Sequence, residues 1–205
     1  MVAGVYFVRH GESVANAGGV TMDERLVPLN GTGLAQAASI AGRLRFKATE
    51  VLVSELIRTQ QTAKPYCDRH GLTPAVHPLL NEMSVIDASL IQGMTGDERR
   101  PISEAYWAEA DPDRRMGDRA DTFREFGARV QRFRTELLPT LKPDAVCFVH
   151  GHWLGMLVWQ VMGFYLGMSP DMRGFKRFSS GLPMPNCAVY RFQSADKNEW
   201  SVRFC

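Results

Sequence analysis

The sequence predicts an α/β protein: a three-layer α/β/α sandwich with a mainly parallel central sheet and an antiparallel edge hairpin. Three observations predict it. Short apolar runs alternate with helix-period segments along most of the chain. The runs VYFV at 5–8 and AVCFV at 145–149 read as buried strands, the second being the most apolar in the chain. Finally, NCAVYRF at 186–192 and WSVRF at 200–204 flank the polar QSADKNE, which reads as a terminal hairpin.

The elements follow in order. After the strand at 5–8, residues 31–46 place Leu34, Ala38, Ala41 and Leu44 at helical spacing, a pattern weakened by Gly42. EVLVS at 50–54 is a second strand. Residues 55–71 form a helix that ends on Gly71 and carries Pro65, a potential kink. AVHP at 75–78 is a third short strand. Residues 83–120 are rich in Pro, Gly, Asp and Arg with poor periodicity, so an insertion or lid with short helices around 96–108 is expected. Phe123, Phe126, Val130, Phe133 and Leu137 then share one helical face, and HWLGMLVWQVMG after the 145–149 strand is a largely buried helix. No internal repeat or low-complexity segment interrupts this order. One domain over 1–205 is expected, with the insertion at about 83–120 as its lid.

Composition excludes several function classes. With 24 basic and 22 acidic residues the net charge is +2, too balanced for a nucleic-acid or membrane partner. Any anion site must come from local placement of arginines. Cys67, Cys147, Cys187 and Cys205 are widely spaced, which indicates neither a zinc site nor a disulfide framework. No window approaches the ~18 apolar residues of a membrane helix. The chain enters a strand almost at once, without a basic leader region, so a cytoplasmic location is expected.

Chemistry collects at the predicted strand ends. In open α/β sheets, ligands bind beyond the carboxyl ends of the strands. After VYFV come Arg9, His10, Gly11, Glu12 and Ser13, with Asn16 just beyond; after VLVS comes Arg58; after AVHP comes Glu82; after AVCFV come His150, Gly151 and His152. Two arginines offer planar forks for phosphate oxygens. A histidine free of metal can attack phosphorus, and a glutamate can protonate a leaving oxygen. No aspartate cluster suggests magnesium and no GxxxxGK[ST] motif suggests nucleotide binding. Asp87 and Glu98 compete with Glu82 as the acid. The HGH run at 150–152 invites a metal reading, but residues two apart do not share a helical face and no third ligand is evident. His70 and His77 read as structural, and the Met and Trp residues from 153 to 168 as core. Arg99, Arg100, Arg114, Arg115 and Arg119 read as a solvated face, with a minority reading in which one or two reach a second anionic group on the substrate.

At these residues the sequence resembles the histidine phosphatase superfamily, with its phosphoglycerate-mutase-like fold. Arg9-His10-Gly11-Glu12-Ser13 with Asn16, Pro28-Leu29-Asn30 with Gly33 and Gln36-Ala37, Ser54-Glu55-Leu56-Ile57-Arg58-Thr59 with Gln61-Thr62-Ala63, Val149-His150-Gly151 and Asn186-Cys187-Ala188-Val189 match its motifs in order. The resemblance implies that His10 is a nucleophile carrying a phosphohistidine. It implies that Arg9, Arg58 and His150 hold the phosphoryl oxygens, that Glu82 is the acid and base, and that Asn16 and Gly151 add hydrogen bonds; His152, outside those roles, reads as lining the pocket or capping the next helix. Glu12 becomes a supporting residue. No cofactor and no metal are implied, and the partner is a small phosphorylated substrate, with a homodimer left open. LIQGMTGDERRP replaces the Trp and Tyr motifs of the mutases, and ADTFREFGARV resembles the phosphatase branch, although Ala120-Asp121-Thr122 replaces that branch's usual Glu-Ser pair. The expected function is therefore a metal-independent phosphomonoester hydrolase; the alternatives are a phosphoglycerate-type mutase and a non-catalytic phosphate-binding scaffold.

Overall fold

In the computed structural model, which describes residues 4–164, 170–196 and 199–205, side chains along the first strand face two different cores. Strand β1 (Gly4–Arg9) sends Val5 and Phe7 to one face of the sheet and Val8 to the other, as the two-residue strand period requires. All four residues of β4 (Val146–Val149) are buried, so both faces of the sheet centre are covered. Among the described residues the sheet has six strands, in the order β3-β2-β4-β1-β5-β6. β3 (Ala75–Val76), β2 (Val51–Val53), β4 and β1 run parallel. β5 (Val189–Asp196) pairs antiparallel with β1 and with β6 (Glu199–Phe204), which gives the expected edge hairpin.

Helices α1 (Gly31–Arg43) and α2 (Ile57–His70) cover one face, packing Ile40, Ala41, Ala63 and Tyr66 against Val8, Val53 and Phe148. The other face carries α4 (Phe123–Arg132), α5 (Gly151–Val161) and α6 (Met172–Gly181), with Phe123, Phe126, Trp153, Leu157 and Phe175 around Phe7 and Val149. Each fully buried aromatic of this set removes enough apolar surface to favour folding by about 2–3 kcal/mol. α4 continues through a π turn at Phe133–Leu137 and a 3₁₀ turn at Leu138–Thr140. α2 ends on Gly71 in the left-handed conformation, as Gly at that position predicts.

Three expectations need correction. The buried face of α1 is Gly33, Ala37, Ile40 and Ala41, and Leu34 is 52% exposed. The helix is rotated by one residue because Gly33 must lie against the backbone of Glu12, where a Cβ would sit 2.0 Å from the Glu12 oxygen. α6 was not expected. Its Asp171 cap accepts from the Gly174 N–H, and Met172 and Phe175 are buried, but two glycines and three basic residues conceal the period. Of the core residues expected at 153–168, Met162 is 57% exposed; Met168 lies outside the described residues. The insertion contains a 3₁₀ turn at Ala88–Leu90 and one full helix, α3 (Gly96–Glu109), fixed by a Thr95–Glu98 capping box. No helix among the described residues is long and apolar enough to cross a membrane.

Candidate active site

Register builds the centre of the site. β1 and β4 pair with Arg9 opposite Val149, so His10 and His150 leave the sheet side by side. Their ring centroids are 5.2 Å apart. His10 is 4% exposed, and its Nδ1 lies 2.7 Å from the carbonyl oxygen of Gly11. A carbonyl only accepts, so Nδ1 carries the hydrogen and Nε2 keeps its lone pair. Arg58 agrees with this assignment, since its Nε donates to His10 Nε2 at 3.3 Å. Burial first, and then the charge of Arg58, push the His10 imidazole down to a pKa of about 3, so it is neutral at pH 7.

The loop that presents His10 is locked from two sides. The Gly11 N–H donates to Thr62 Oγ1 at 3.0 Å, and that hydroxyl donates to the Arg58 carbonyl at 2.6 Å. The loop that carries His10 and the helix that carries Arg58 are thereby tied together. A Cβ on Gly11 would lie 2.6 Å from the Gly33 oxygen. Gly11 is needed for this close approach and has no positive φ, so it is not a left-handed turn residue. Glu12 serves the same framework: its N–H donates to Gln36 at 2.8 Å and its carboxylate accepts from Asn30 at 2.6 Å.

Arg9 donates to the Met184 carbonyl, while its buried Nε has no partner. Burial lowers its pKa, with Glu82 opposing, and it remains cationic. Arg58, 6% exposed, also donates to the carbonyl of Glu24 at 3.0 Å and to its carboxylate at 3.4 Å. His150 is fully buried behind His10. Its Nε2 lies 2.8 Å from Ser54 Oγ and its Nδ1 has no partner. Burial, then Arg58, hold its pKa well below the ordinary histidine value. Ser54 is itself fixed by the Leu56 N–H at 3.1 Å and Thr59 Oγ1 at 2.9 Å.

Glu82 approaches from the opposite wall. One carboxylate oxygen accepts from the N–H groups of Met83 (3.0 Å) and Trp153 (2.9 Å), the other from His152 N–H (3.0 Å). The carboxylate thus sits on the first turn of α5, whose free N–H groups fix its position. Arg129 holds the same segment: it grips Asp121 with two 2.8 Å bonds and donates to the Glu82 carbonyl at 3.0 Å. Asp121 and Thr122 therefore have structural work, as the Arg129 partner and as the N-cap of α4. Of the competing acids, Asp87 is bound to Ser89 and Arg119 and Glu98 caps α3; neither lines the cleft.

These groups open on a cleft of about 910 Å³ lined by Arg9, His10, Asn16, Arg58, Glu82, Gly151 and His152. Asn16 accepts from Ser13 N–H and from Asn186, which also holds the His10 carbonyl. His150 is the one residue of the expected set that reaches His10 without lining the cleft. The two histidines of the HGH run diverge, His150 toward Ser54 and His152 onto the face of Trp107, with centroids 5.5 Å apart. Burial lowers the His152 pKa. Among the described residues no three His, Cys, Asp or Glu side chains converge as a metal site. The insertion contributes Met83, Ile86, Ile91, Arg99 and Trp107 to the cleft wall. Sequence reasoning missed Glu24 and Lys176. Burial raises the Glu24 pKa, against the pull of Arg58. Glu24 opens a single 3₁₀ turn, Glu24–Leu26, too short to show a period, and Lys176 lies on the helix that was not foreseen.

Fold and site together define a class: an α/β protein that presents a buried neutral histidine and two arginines at one edge of a mainly parallel sheet, an arrangement suited to a phosphoryl group. The sequence profile of the Histidine phosphatase superfamily (branch 1) matches residues 5–204, and the chain belongs to that superfamily. Among curated relatives, the protein named "Probable phosphoglycerate mutase GpmB" of Yersinia pestis (strain Pestoides F) is 39% identical over 99 residues. That match covers 47% of this chain and 46% of the relative, so the likeness spans about half the length of either. Among solved structures, the alpha-ribazole phosphatase of Shigella flexneri aligns with a TM-score of 0.73 at 21% identity, covering 98% of this chain and 95% of that one. A mycobacterial glucosyl-3-phosphoglycerate phosphatase aligns with a TM-score of 0.70 at 20% identity, covering 100% and 97%. At such identity these structures show the shared fold.

Proposed function

We propose that the chain hydrolyses phosphomonoesters of small metabolites through a phosphohistidine on His10, without a metal. The observation that carries this reading is the His10 ring, neutral, with Nδ1 pinned to the Gly11 carbonyl and Nε2 turned to Arg58. The Nε2 lone pair forms the N–P bond as the bond from phosphorus to the alcohol oxygen breaks, and Glu82 gives that oxygen its proton. Water then attacks phosphorus, Glu82 takes the water proton, and the N–P bond breaks to restore His10. Arg9 and Arg58 hold the phosphoryl oxygens as charge spreads over them. Ser54 donates to His150 Nε2 in this reading, which leaves a hydrogen on Nδ1 for the phosphoryl group. The Nε of Arg9 adds a further donor.

Hydrolysis is favoured over transfer to a second phosphoglycerate because the cleft around His10 is open, which gives water a path to the phosphohistidine. The name carried by the curated relatives supports the mutase as the second reading. Phosphate release and transfer between phosphoglycerates, measured side by side, separate the two. The expected result is release, abolished in His10→Ala and unchanged by EDTA. Fast transfer with little release would establish the mutase instead. Equal inactivity of wild type and His10→Ala over a broad panel would favour a binding scaffold, and zinc-restorable loss with EDTA would overturn the metal-free mechanism. The three buried free thiols Cys67, Cys147 and Cys187 are consistent with a cytoplasmic location.

A further inference from the structure

The cleft is much larger than one phosphoryl group needs, so most of its wall meets the alcohol part of the substrate. The cations on that wall differ in how far they are committed. Arg99 donates to Gly19 O (2.8 Å), Thr21 Oγ1 (2.9 Å), Met94 O (3.2 Å) and Ala15 O (3.1 Å), and so clamps the 15–21 loop to the insertion. Arg100 is paired with Asp97 at 2.7 Å in open solvent. Lys176 lines the same cleft and is half-buried, and no carboxylate among the described residues is within ion-pair distance of it. Its ammonium lies 4.9 Å from the ring centroid of Trp107. Trp107 is 7% exposed and carries the His152 ring against it at 5.5 Å. The attraction of an ammonium to an indole face positions the charge without neutralising it.

The placement is directional. His152 links the two groups: its N–H donates to Glu82 at 3.0 Å, and its ring lies 5.5 Å from Trp107, whose ring also carries the Lys176 ammonium. The hydroxyls of Ser179 and Ser180, on the next turn of α6, both donate to the Lys176 carbonyl, which leaves the ammonium as the charged donor there. Glu104 on the same wall is exposed and makes no ion pair with Lys176.

Resting on the hydrolase reading, we propose that Lys176, held by Trp107 and His152, binds a second anionic group on the alcohol part of the substrate. The preferred substrates are then phosphomonoesters that carry a carboxylate or a second phosphate close to the scissile oxygen. A charge-assisted bond of this kind supplies about a tenfold preference.

The test uses 3-phosphoglycerate and glycerol 3-phosphate, which differ by a carboxylate in place of a hydroxymethyl group, with 1,3-propanediol bisphosphate and an aryl phosphate as further arms. Wild type is expected to show kcat/KM about tenfold higher for the anionic member of the pair. Lys176→Gln is expected to bring that ratio to about one, mainly through KM, with aryl phosphate and glycerol 3-phosphate unchanged. Lys176→Arg keeps the ratio. Which of the carboxylate and bisphosphate arms responds to Lys176→Gln identifies the second anion. A wild-type ratio near one, a ratio that survives Lys176→Gln, or equal loss on all substrates overturns the proposal. Calorimetric binding of the matched pair to His10→Ala reads the same ratio without turnover. If no substrate is hydrolysed, the hydrolase reading fails and binding still decides the subsite.

Discussion

The sharpest expectation concerns acid. If His10 kept the ordinary histidine pKa of about 6.5, only about 3% of the protein would hold a neutral nucleophile at pH 5. With a pKa of about 3, set by burial and by Arg58, about 99% is neutral at that pH. The two cases differ about 30-fold in competent enzyme at pH 5. The assay is kcat/KM for phosphate release from pH 7.5 to 5, corrected for the second ionisation of the substrate near pH 6. Ring nitrogen shifts of His10, followed by NMR over the same range, read the titration directly. A flat corrected profile and a ring that does not titrate above pH 5 are expected. Arg58→Gln removes a neighbouring cation, so the His10 pKa should move upward and activity at pH 5 should fall further than at pH 7.5. The same groups set acid stability, and the sign follows from linkage. The folded pKa of His10 lies below the unfolded value, so its contribution is fully present above about pH 6.5 and is lost as pH falls toward 3, and His150, also held below its ordinary value, acts in the same direction. His10 adds a slope of about 1.4 kcal/mol per pH unit in that window. A ring titration centred near 6.5, or a 30-fold shortfall at pH 5, would refute the reasoning.

Three further substitutions test the framework around the site. Gly33→Ala puts a Cβ against the Glu12 backbone and should cost about 1–3 kcal/mol in denaturant unfolding, whereas Gly31→Ala, with open space at the start of α1, should gain about 0.4–1 kcal/mol; equal effects would remove the case for a glycine-specific contact. Ser54→Ala leaves the buried Nε2 of His150 unpaired, so a loss of about 1–3 kcal/mol is expected together with a mixed His150 tautomer in ring nitrogen spectra; an unchanged tautomer would show that Ser54 does not set it.

Much of this site was legible because strands announce where they end. VYFV and AVCFV are apolar enough to mark buried parallel strands, and the residues just after each strand must emerge at one sheet edge. Arg9, His10, Arg58, Glu82 and His150 could therefore be brought together from strand positions and motif order. The acceptor that orients His10 could not, because it is a backbone carbonyl whose direction depends on the Gly11–Gly33 contact. Glu24 was hidden for a related reason: its role comes from Arg58 reaching across from α2, and its own 3₁₀ turn is too short to show a period. Lys176 and Trp107 are far apart in sequence and meet only when α6 packs beside α3. The misreading of α1 had a local cause, since Leu34 looks like a core residue until Gly33 is seen to define the tight face.

The most direct test of the account is the covalent state of His10 during turnover. Rapid quenching with a ³²P-labelled monoester, followed by peptide mapping, should find an acid-labile, base-stable phosphoryl group on His10, formed and lost at rates that match phosphate release and absent in His10→Ala. Label on another residue, or turnover at the full rate with His10 unlabelled, would contradict the claim that His10 is the nucleophile.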